Sequence, residues 1–316
     1  MIGILRVIQP GMLTTIQDHG RWGLQARGVP VAGPMDPCAH RVANALVGNQ
    51  SDAATLEVTL IGPELEFEDE RVVAVTGAAF QLTIDGRQAP HAAAFMVSAG
   101  ARLRFGSREQ GARAYIGIAG GVAVEPTLGS RATHVISHMG GLAGRQLKAG
   151  DHLPLGDRTA TRPLSNRLLA GAAPPLPAGR ATIRVLPGPQ ADYFADEALD
   201  VLQSAPYIVG AKSDRMGFRL EGPALRHERG ADIISDATPL GVLQVPASGQ
   251  PILLMADRQT SGGYPKIATV ISADISTVGQ LAPGDAITFA VCSMGEAVAA
   301  LIAQEQRLMA LEAQTP

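Results

Sequence analysis

The chain has 316 residues, of which 36 are Gly and 22 are Pro, while aromatic residues make up only 4%. Hydrophobic residues account for 46%, so the chain can bury a core and does not belong to the disordered class. The net charge of −3 and the lack of a long basic tract argue against nucleic acid or an anionic membrane as a partner. The many helix breakers favour short strands joined by turns over a helical bundle, and the length suggests about two domains.

The first helix is predicted over residues 37–47. Asp36 suits its N-cap, and the proline that follows suits the first helical position, where an N–H would have no partner. Apolar residues recur three or four positions apart and form one stripe, and Gly48 suits the left-handed C-terminal cap. Two more helices are predicted, over about residues 192–202 and 296–311.

Short β-rich runs that end in Gly or in Asp-Gly are typical of strands closed by turns. Such runs occur over residues 71–77, 80–85, 113–120, 181–188, 251–257, 266–274 and 285–292. Asp85 and Gly86 are predicted to form a hairpin turn, because Asp-Gly readily adopts the positive φ angles that a two-residue loop requires.

The chain is predicted to consist of two halves. Residues 158–182 are rich in Pro, Ala and Gly without a convincing period, and are interpreted as a linker or crossing segment. The predicted domains are residues 1–160 and 181–316, with residues 161–180 between them. A Gly-Pro turn sequence and a Gly-Asp turn sequence recur in both halves, which favours two related β domains. Chance matches of turn sequences explain the similarity equally well, so both interpretations stay open.

One long uncharged stretch, residues 237–256, contains three prolines and several amides, which make it a poor membrane span. The first residues carry one Arg followed by Pro and Gly, a pattern that does not predict a signal peptide. The expectation is therefore a cytoplasmic protein with reduced thiols and no membrane partner.

Several common site motifs are missing. The sequence has no phosphate-binding GxxxxGK[ST] loop, no GxGxxG, no HExxH and no GxSxG. It also lacks the Met-Lys pair of a biotin attachment site, so another chain is expected to carry biotin or a nucleotide. His134 and His138 lack a carboxylate to complete a metal set, and Cys38 and Cys292 have neither redox nor zinc spacing, so no metal site is predicted.

Two polar clusters are candidates for ligand binding. In the first, residues 14–36, glycines allow close approach of the backbone, and Asp18 and Arg21 are placed to orient a ligand. A structural ion pair within a Gly/Pro loop is an equally good explanation. In the second, residues 211–223, Arg215 can bind a carboxylate with two hydrogen bonds, although an ordinary surface turn also fits.

The third cluster, residues 231–274, is the most informative. An apolar strand is followed by acidic, basic, amide and hydroxyl groups, a Gly-Gly turn and a second apolar strand. Asp257 is predicted to hold an amide N–H or act as a base, Lys266 to stabilise a carboxylate or oxyanion, and Tyr264 to donate a hydrogen bond. A decorated hairpin with solvated charges is the alternative, but the density of polar groups favours a site.

Several segments resemble one known family. They include TTIQDHGRWG, GVPVAGPMDPCAHRVANALVGN, SDRMGFRLEGP and SDATPLGVLQVPASGQPILLMADRQTSGGYPKIATVISAD, and the similarity extends over roughly residues 5–289. On these segments the chain resembles the carboxyltransferase-type family. Its members include the KipA/PxpC component of bacterial 5-oxoprolinase, the second subunit of allophanate hydrolase and the carboxyltransferase region of urea carboxylase.

The resemblance implies a mainly β fold of two cyclophilin-like β-barrel domains with a few short helices. It implies a hetero-oligomer with a KipI/PxpB-like subunit and a PxpA-like subunit, in which 5-oxo-L-proline is opened to L-glutamate with ATP hydrolysis. ATP is expected to bind at or with a partner subunit.

The resemblance also marks residues expected to line the site. From the second half they are Arg215, Gln244, Asp257, Gln259, Tyr264 and Lys266, and from the first half Asp18, Arg21 and Asp36. Of these, Asp257, Lys266 and Tyr264 are predicted to be catalytic and the others to bind substrate. Ala237, Ser261 and Phe218 stand where the family usually has Gly, Thr and Tyr, which weakens any role for the last two side chains.

Three functions are weighed. The leading one is a subunit that binds and activates 5-oxoproline, with Arg215 or Lys266 on the carboxylate and Asp257 and Gln259 on the lactam. The second is biotin-dependent carboxyl transfer to urea or a related amide, with biotin on a partner. The third is a regulatory protein that antagonises a KipI-like kinase inhibitor, for which the C-terminal helix is a candidate docking element.

Overall fold

The structure, a computed structural model, describes residues 3–157 and 173–313. The chain divides into two compact units. The first comprises Met1–Arg21, Ala32–Leu176 and Glu305–Pro316, and the second comprises Trp22–Val31 and Pro177–Gln304. The predicted domain limits stay a prediction, and most of the predicted linker, residues 161–172, lies outside the described residues.

The first unit is built on one curled sheet of nine strands. They are β1 (Gly3–Gln9), β2 (Leu13–Gln17), β3 (Thr55–Thr59), β4 (Glu64–Phe67), β5 (Arg71–Ile84), β6 (Arg87–Gln88), β7 (Ala94–Val97), β8 (Arg102–Ile118) and β9 (His152–Leu155), and helix α1 (Pro37–Leu46) lies between β2 and β3 in the chain. The main path runs β2-β3-β8-β4-β1-β9, and β5 pairs along β8. A large apolar cluster forms the core, in which Leu5, Leu56, Val73 and Ile116 are fully buried.

The two runs predicted as separate strands, residues 71–77 and 80–85, form one strand, β5. Gly77 has a φ of 78°, and the register against β8 shifts between Gly77 and Ala79. The glycine therefore marks a bulge within a continuous strand, not its end. The hairpin turn at Asp85 and Gly86 is confirmed, since both residues have positive φ and join β5 to β6.

Helix α1 confirms the predicted capping pattern. The Asp36 side chain accepts a hydrogen bond from the Ala39 N–H at 2.9 Å, and proline occupies the first turn. Gly48 has a φ of 74°, as its place after the helix predicts. Inside the helix, His40 is fully buried, with Nδ1 2.9 Å from Thr55 Oγ1.

The second unit contains a closed barrel. Its strands are β10 (Arg180–Pro187), β11 (Tyr207–Val209), β12 (Gly217–Glu221), β13 (Asp236–Ala237), β14 (Val242–Gln244), β15 (Ile252–Leu254), β16 (Ser261–Gly262), β17 (Lys266–Val270) and β18 (Ala286–Val291). Seven of them close in the order β10-β17-β14-β15-β12-β11-β18, and parallel pairing of β18 with β10 completes the ring. Strands β13 and β16 form a separate two-stranded ribbon. The predicted mainly β class is confirmed.

The remaining helices are α2 (Ala198–Ser204), α3 (Ile275–Gly279) and α4 (Met294–Glu312). The predicted C-terminal helix is confirmed by α4. Among the described residues, no helix is long and apolar enough to cross a membrane.

The helix predicted over about residues 192–202 is wrong in its first half. A 3₁₀ turn, Ala191–Tyr193, is followed by extended backbone, and α2 begins only at Ala198. Phe194 forms a bridge with His227, and the Ala195 N–H donates to the Arg226 carbonyl. These long-range hydrogen bonds replace the local bonds that a continuous helix would have made.

Two predicted strands of the second half are shorter than expected. Residues 251–257 contribute only β15, because the Met255 N–H leaves the ladder and donates to the Met216 carbonyl. Residues 266–274 contribute β17, and a 3₁₀ turn over Ser272–Asp274 follows.

The N-cap of α1 can be tested by Asp36→Ala. Loss of the acceptor for the Ala39 N–H should lower the free energy of unfolding by about 1 kcal/mol, measured by urea denaturation. Asp36→Asn keeps an acceptor oxygen and should cost much less. Equal losses for the two variants would contradict the capping role.

Acid should destabilise the protein through His40. Burial lowers the pKa of its imidazole from 6.5 to about 3. The unfolded chain therefore takes up the proton at higher pH, so this contribution to stability is complete above pH 6.5 and is lost as the pH falls towards 3, by up to about 1.4 kcal/mol per pH unit. His40→Gln should flatten the pH dependence of the unfolding free energy measured by urea denaturation.

The control for this experiment is His152→Gln, which changes an exposed histidine of β9. It should leave the pH dependence as it is in the wild type. A His40→Gln profile parallel to that of the wild type would contradict the account.

Candidate functional site

A buried ion pair joins two loops of the second unit. Arg215, which precedes β12, donates from Nε to Asp257 Oδ2 at 3.0 Å and from Nη2 to Oδ1 at 2.9 Å. Asp257 follows β15, and its N–H donates to the Arg215 carbonyl at 2.8 Å. The two residues are 5% and 4% exposed. The pair therefore fixes where the segment after Asp257 begins.

A second ion pair anchors the β13–β16 ribbon. Lys266, the first residue of β17, is buried, and its Nζ lies 2.7 Å from Oδ2 of Asp236 in β13. The hydrogen bond from Lys266 lowers the pKa of the Asp236 carboxyl below its usual value. Lys266 is thus already paired with a carboxylate of its own chain.

A small cleft of ≈ 180 Å³ lies beside the ends of β12, β14 and β15. We call it the glutamine pocket; Gln244, Gln259, Tyr264, Lys212, Asp214 and Arg219 supply its polar lining. Gln244 is 1% exposed, and its Oε1 accepts from Gln259 Nε2 at 3.2 Å. Its Nε2 has no hydrogen-bond partner among the described residues. A buried donor left unpaired costs about 1–3 kcal/mol, so a ligand acceptor placed there would be stabilised.

The Gln244 side chain needs the glycine of β16 beside it. A Cβ atom added at Gly262 would lie 2.6 Å from Gln244 Nε2, closer than such contacts are found. The Gly-Gly turn predicted to present the site therefore has a specific packing role, since any larger residue would displace the amide.

A larger pocket of ≈ 440 Å³ lies beside the same loop, and we call it the tryptophan pocket. Its lining includes Trp22, Val31, Leu240, Arg258, Gln259 and Thr260. Arg258 is 7% exposed and donates from Nε to the Thr238 carbonyl at 2.9 Å. Burial lowers the pKa of its guanidinium to about 10. Gln259 lines both pockets.

The structure brings several predicted residues of the second half together. Gln244, Gln259 and Tyr264 line one pocket, and Tyr264 is 40% exposed there. Arg215 and Asp257 are not part of the described lining of either pocket and bind one another instead.

Sequence reasoning missed the cations that line the glutamine pocket, Lys212 and Arg219. Both are exposed, whereas Arg215 and Lys266, the predicted carboxylate ligands, are buried in ion pairs. Alternation along β12 carried the signal, because Arg219 lies between two buried apolar residues and must point away from the core.

The predicted residues of the first half make structural contacts within the first unit. Asp18 accepts from the Gly20 N–H, the Ser130 hydroxyl and the Arg131 N–H. Arg21 donates to the carbonyl groups of Thr127, Ser130 and Ala132. Both side chains therefore hold the 127–132 segment against the end of β2.

The third of these predicted residues, Asp36, caps α1, and its N–H donates to the Tyr115 hydroxyl at 2.8 Å. In residues 3–157 and 173–313 no group of three or more His, Cys, Asp or Glu side chains is arranged to hold a metal ion. His134 instead lies 2.5 Å from the Ser137 hydroxyl within a turn, and Cys38 and Cys292 are free thiols.

The fold and this site define the class of protein. The family model "Carboxyltransferase domain, subdomain A and B" matches residues 27–291, and the chain belongs to this family. The family-level resemblance found in the sequence is therefore confirmed.

Relatives of this chain fall into two groups. The chain is 39% identical to a protein of Escherichia coli (strain K12) that is named as a 5-oxoprolinase subunit, the one lettered C, over 94% of both chains. It is 36% identical to the Haemophilus influenzae protein of the same name, over 90% of this chain and 89% of that protein. The crystal structure of the K. lactis urea amidolyase superposes with a TM-score of 0.92 at 33% identity, covering 98% of this chain and 20% of that one.

The Arg215–Asp257 pair can be tested by Asp257→Asn. Removing one charge leaves the buried guanidinium uncompensated, so the free energy of unfolding should fall by about 3–5 kcal/mol in chemical denaturation. Asp192→Asn is the matched control, because it breaks an ion pair with Arg229 in which both side chains are exposed, and it should have little effect. Similar small losses for both variants would show that the buried pair does not anchor the loops.

Proposed function

We propose that the chain is the substrate-binding subunit of an ATP-dependent 5-oxoprolinase, which opens 5-oxo-L-proline to L-glutamate together with partner subunits. The observation that carries this proposal is the unpartnered Nε2 of buried Gln244 in a pocket sized for a small molecule. The two bacterial relatives named as 5-oxoprolinase subunits, matched over nearly their whole length, support it.

The groups lining the glutamine pocket complement 5-oxoproline. Its lactam has one carbonyl acceptor and one N–H donor, and it carries a carboxylate. Gln244 Nε2 donates to the lactam oxygen, while Oε1 of Gln259, whose Nε2 already serves Gln244, accepts the lactam N–H. Lys212 or Arg219 binds the carboxylate, and Tyr264 donates a further hydrogen bond.

The predicted catalytic residues Asp257 and Lys266 act in this proposal by positioning. Asp257 holds Arg215 and sets the start of the loop that carries Gln259, and Lys266 anchors the ribbon that contains Gly262. Neither side chain is assigned proton transfer, because each is engaged in an ion pair within the chain.

Ring opening needs activation, because an amide carbonyl is a poor electrophile. We propose that ATP, bound at or with a partner subunit, phosphorylates the lactam oxygen while this chain holds the substrate. The partners in this proposal are a KipI/PxpB-like subunit and a PxpA-like subunit. Water then adds to the activated carbon, phosphate leaves and the C–N bond breaks to give glutamate.

Biotin-dependent carboxyl transfer is the second candidate. The close superposition on the urea amidolyase structure favours it, and urea offers the same amide oxygen and N–H groups to the two glutamines. The sequence has no Met-Lys attachment site, so a partner would have to carry biotin. Streptavidin blotting of proteins co-purified with this chain distinguishes the two functions.

Reconstitution tests the leading proposal. The chain is co-expressed with the subunits encoded beside it, and ATP-dependent release of glutamate from 5-oxoproline is measured with and without this chain. Gln244→Met removes the amide at similar length, so the KM for 5-oxoproline should rise about tenfold while the KM for ATP stays unchanged.

The matched control is Gln146→Met, which changes an exposed glutamine of the first unit and should leave both constants unchanged. A wild-type KM for 5-oxoproline in Gln244→Met, or glutamate release that does not need this chain, would contradict the proposal.

A further inference from the structure

We propose that the tryptophan pocket is a second ligand site, which binds a monoanionic carboxylate carried on a planar or apolar body. The site is distinct from the glutamine pocket and does not depend on what that pocket binds. The argument rests on the charge of Arg258, on its free donors and on the walls around it.

The charges of this region do not balance. Asp257 is the neighbour of Arg258 in sequence, but both of its carboxylate oxygens bind Arg215. Among the described residues, no carboxylate lies within salt-bridge distance of Arg258. Two guanidinium groups thus share one carboxylate, and a buried positive charge is left without a counterion, which is costly unless a ligand supplies one.

The Arg258 guanidinium also has donors to spare. Its Nε donates to the Thr238 carbonyl and its Nη1 to the Met255 carbonyl, at 2.9 and 3.4 Å. Its Nη2 has no hydrogen-bond partner among the described residues. Because a guanidinium has five N–H donors, the end formed by Nη1 and Nη2 can still bind both oxygens of a carboxylate.

The walls of the pocket select the rest of the ligand. Val31, Pro239 and Leu240 provide apolar surface, which excludes water and strengthens the attraction between Arg258 and an anion. Trp22, 60% exposed, offers an aromatic face on which a planar group can stack. A volume of ≈ 440 Å³ is within the range of small-molecule sites.

The charge of the ligand follows from the lining. Arg258 is the one charged side chain among the described lining residues, so a single negative charge is matched and a dianionic phosphate is not. Thr260 and Gln259 supply the polar contacts that orient the ligand.

Tryptophan fluorescence of the full chain tests this proposal, because Trp22 is its only tryptophan. Benzoate and benzamide are the probes, since they share a ring and a shape but differ in charge. Benzoate should change the fluorescence saturably and bind at least about tenfold more tightly than benzamide. Isothermal titration calorimetry gives the same dissociation constants by an independent signal.

Arg258→Gln removes the charge and should weaken benzoate binding about tenfold or more. Arg219→Gln, which removes a cation of the glutamine pocket, should leave the benzoate Kd unchanged. If circular dichroism shows that Arg258→Gln does not fold, Arg258→Lys serves instead, and it should still prefer benzoate to benzamide.

Three results would overturn the proposal. They are equal affinities for benzoate and benzamide, a wild-type benzoate Kd in folded Arg258→Gln, and no saturable binding by either method. Because Gln244→Met leaves the tryptophan pocket intact, it should bind benzoate normally. Failure of the 5-oxoprolinase assay and failure of this proposal are therefore separate outcomes.

Discussion

The arrangement of the second unit's site depends on the buried ion pair between Arg215 and Asp257. Two side-chain hydrogen bonds and one backbone hydrogen bond join the segment before β12 to the segment after β15. The next two residues after Asp257 are Arg258 and Gln259, so their side chains are positioned by this pair. A buried pair of this kind is a weak source of net stability, but its loss leaves a charge in the interior, which makes it an effective fastener.

Two polar groups beside this fastener are not satisfied by the described chain. Gln244 has a buried amide N–H without an acceptor, and Arg258 has a buried charge without a counterion. Both line pockets, and Gln259 belongs to both linings. Native proteins rarely leave buried donors unpaired, so the two together indicate a surface prepared for ligands with an amide-type acceptor and a carboxylate.

The sequence predicts much of the local structure but little of the site's geometry. The cap at Asp36 and the Asp-Gly hairpin were predictable because each depends on neighbouring residues. The helix over residues 192–202 was wrong because contacts with Arg226 and His227 override local preference. Pattern alone could mark Arg215 and Lys266 as charged, but not that each meets an internal carboxylate and leaves Lys212 and Arg219 to line the pocket.

The account's central claim is that the glutamine pocket binds the lactam of 5-oxo-L-proline through Gln244. A crystal structure of the full chain soaked with 5-oxo-L-proline tests this most directly. The account predicts the lactam oxygen within hydrogen-bond distance of Gln244 Nε2 and the carboxylate beside Lys212 or Arg219. Substrate bound elsewhere, or bound in the pocket with Gln244 Nε2 still unpaired, would contradict it.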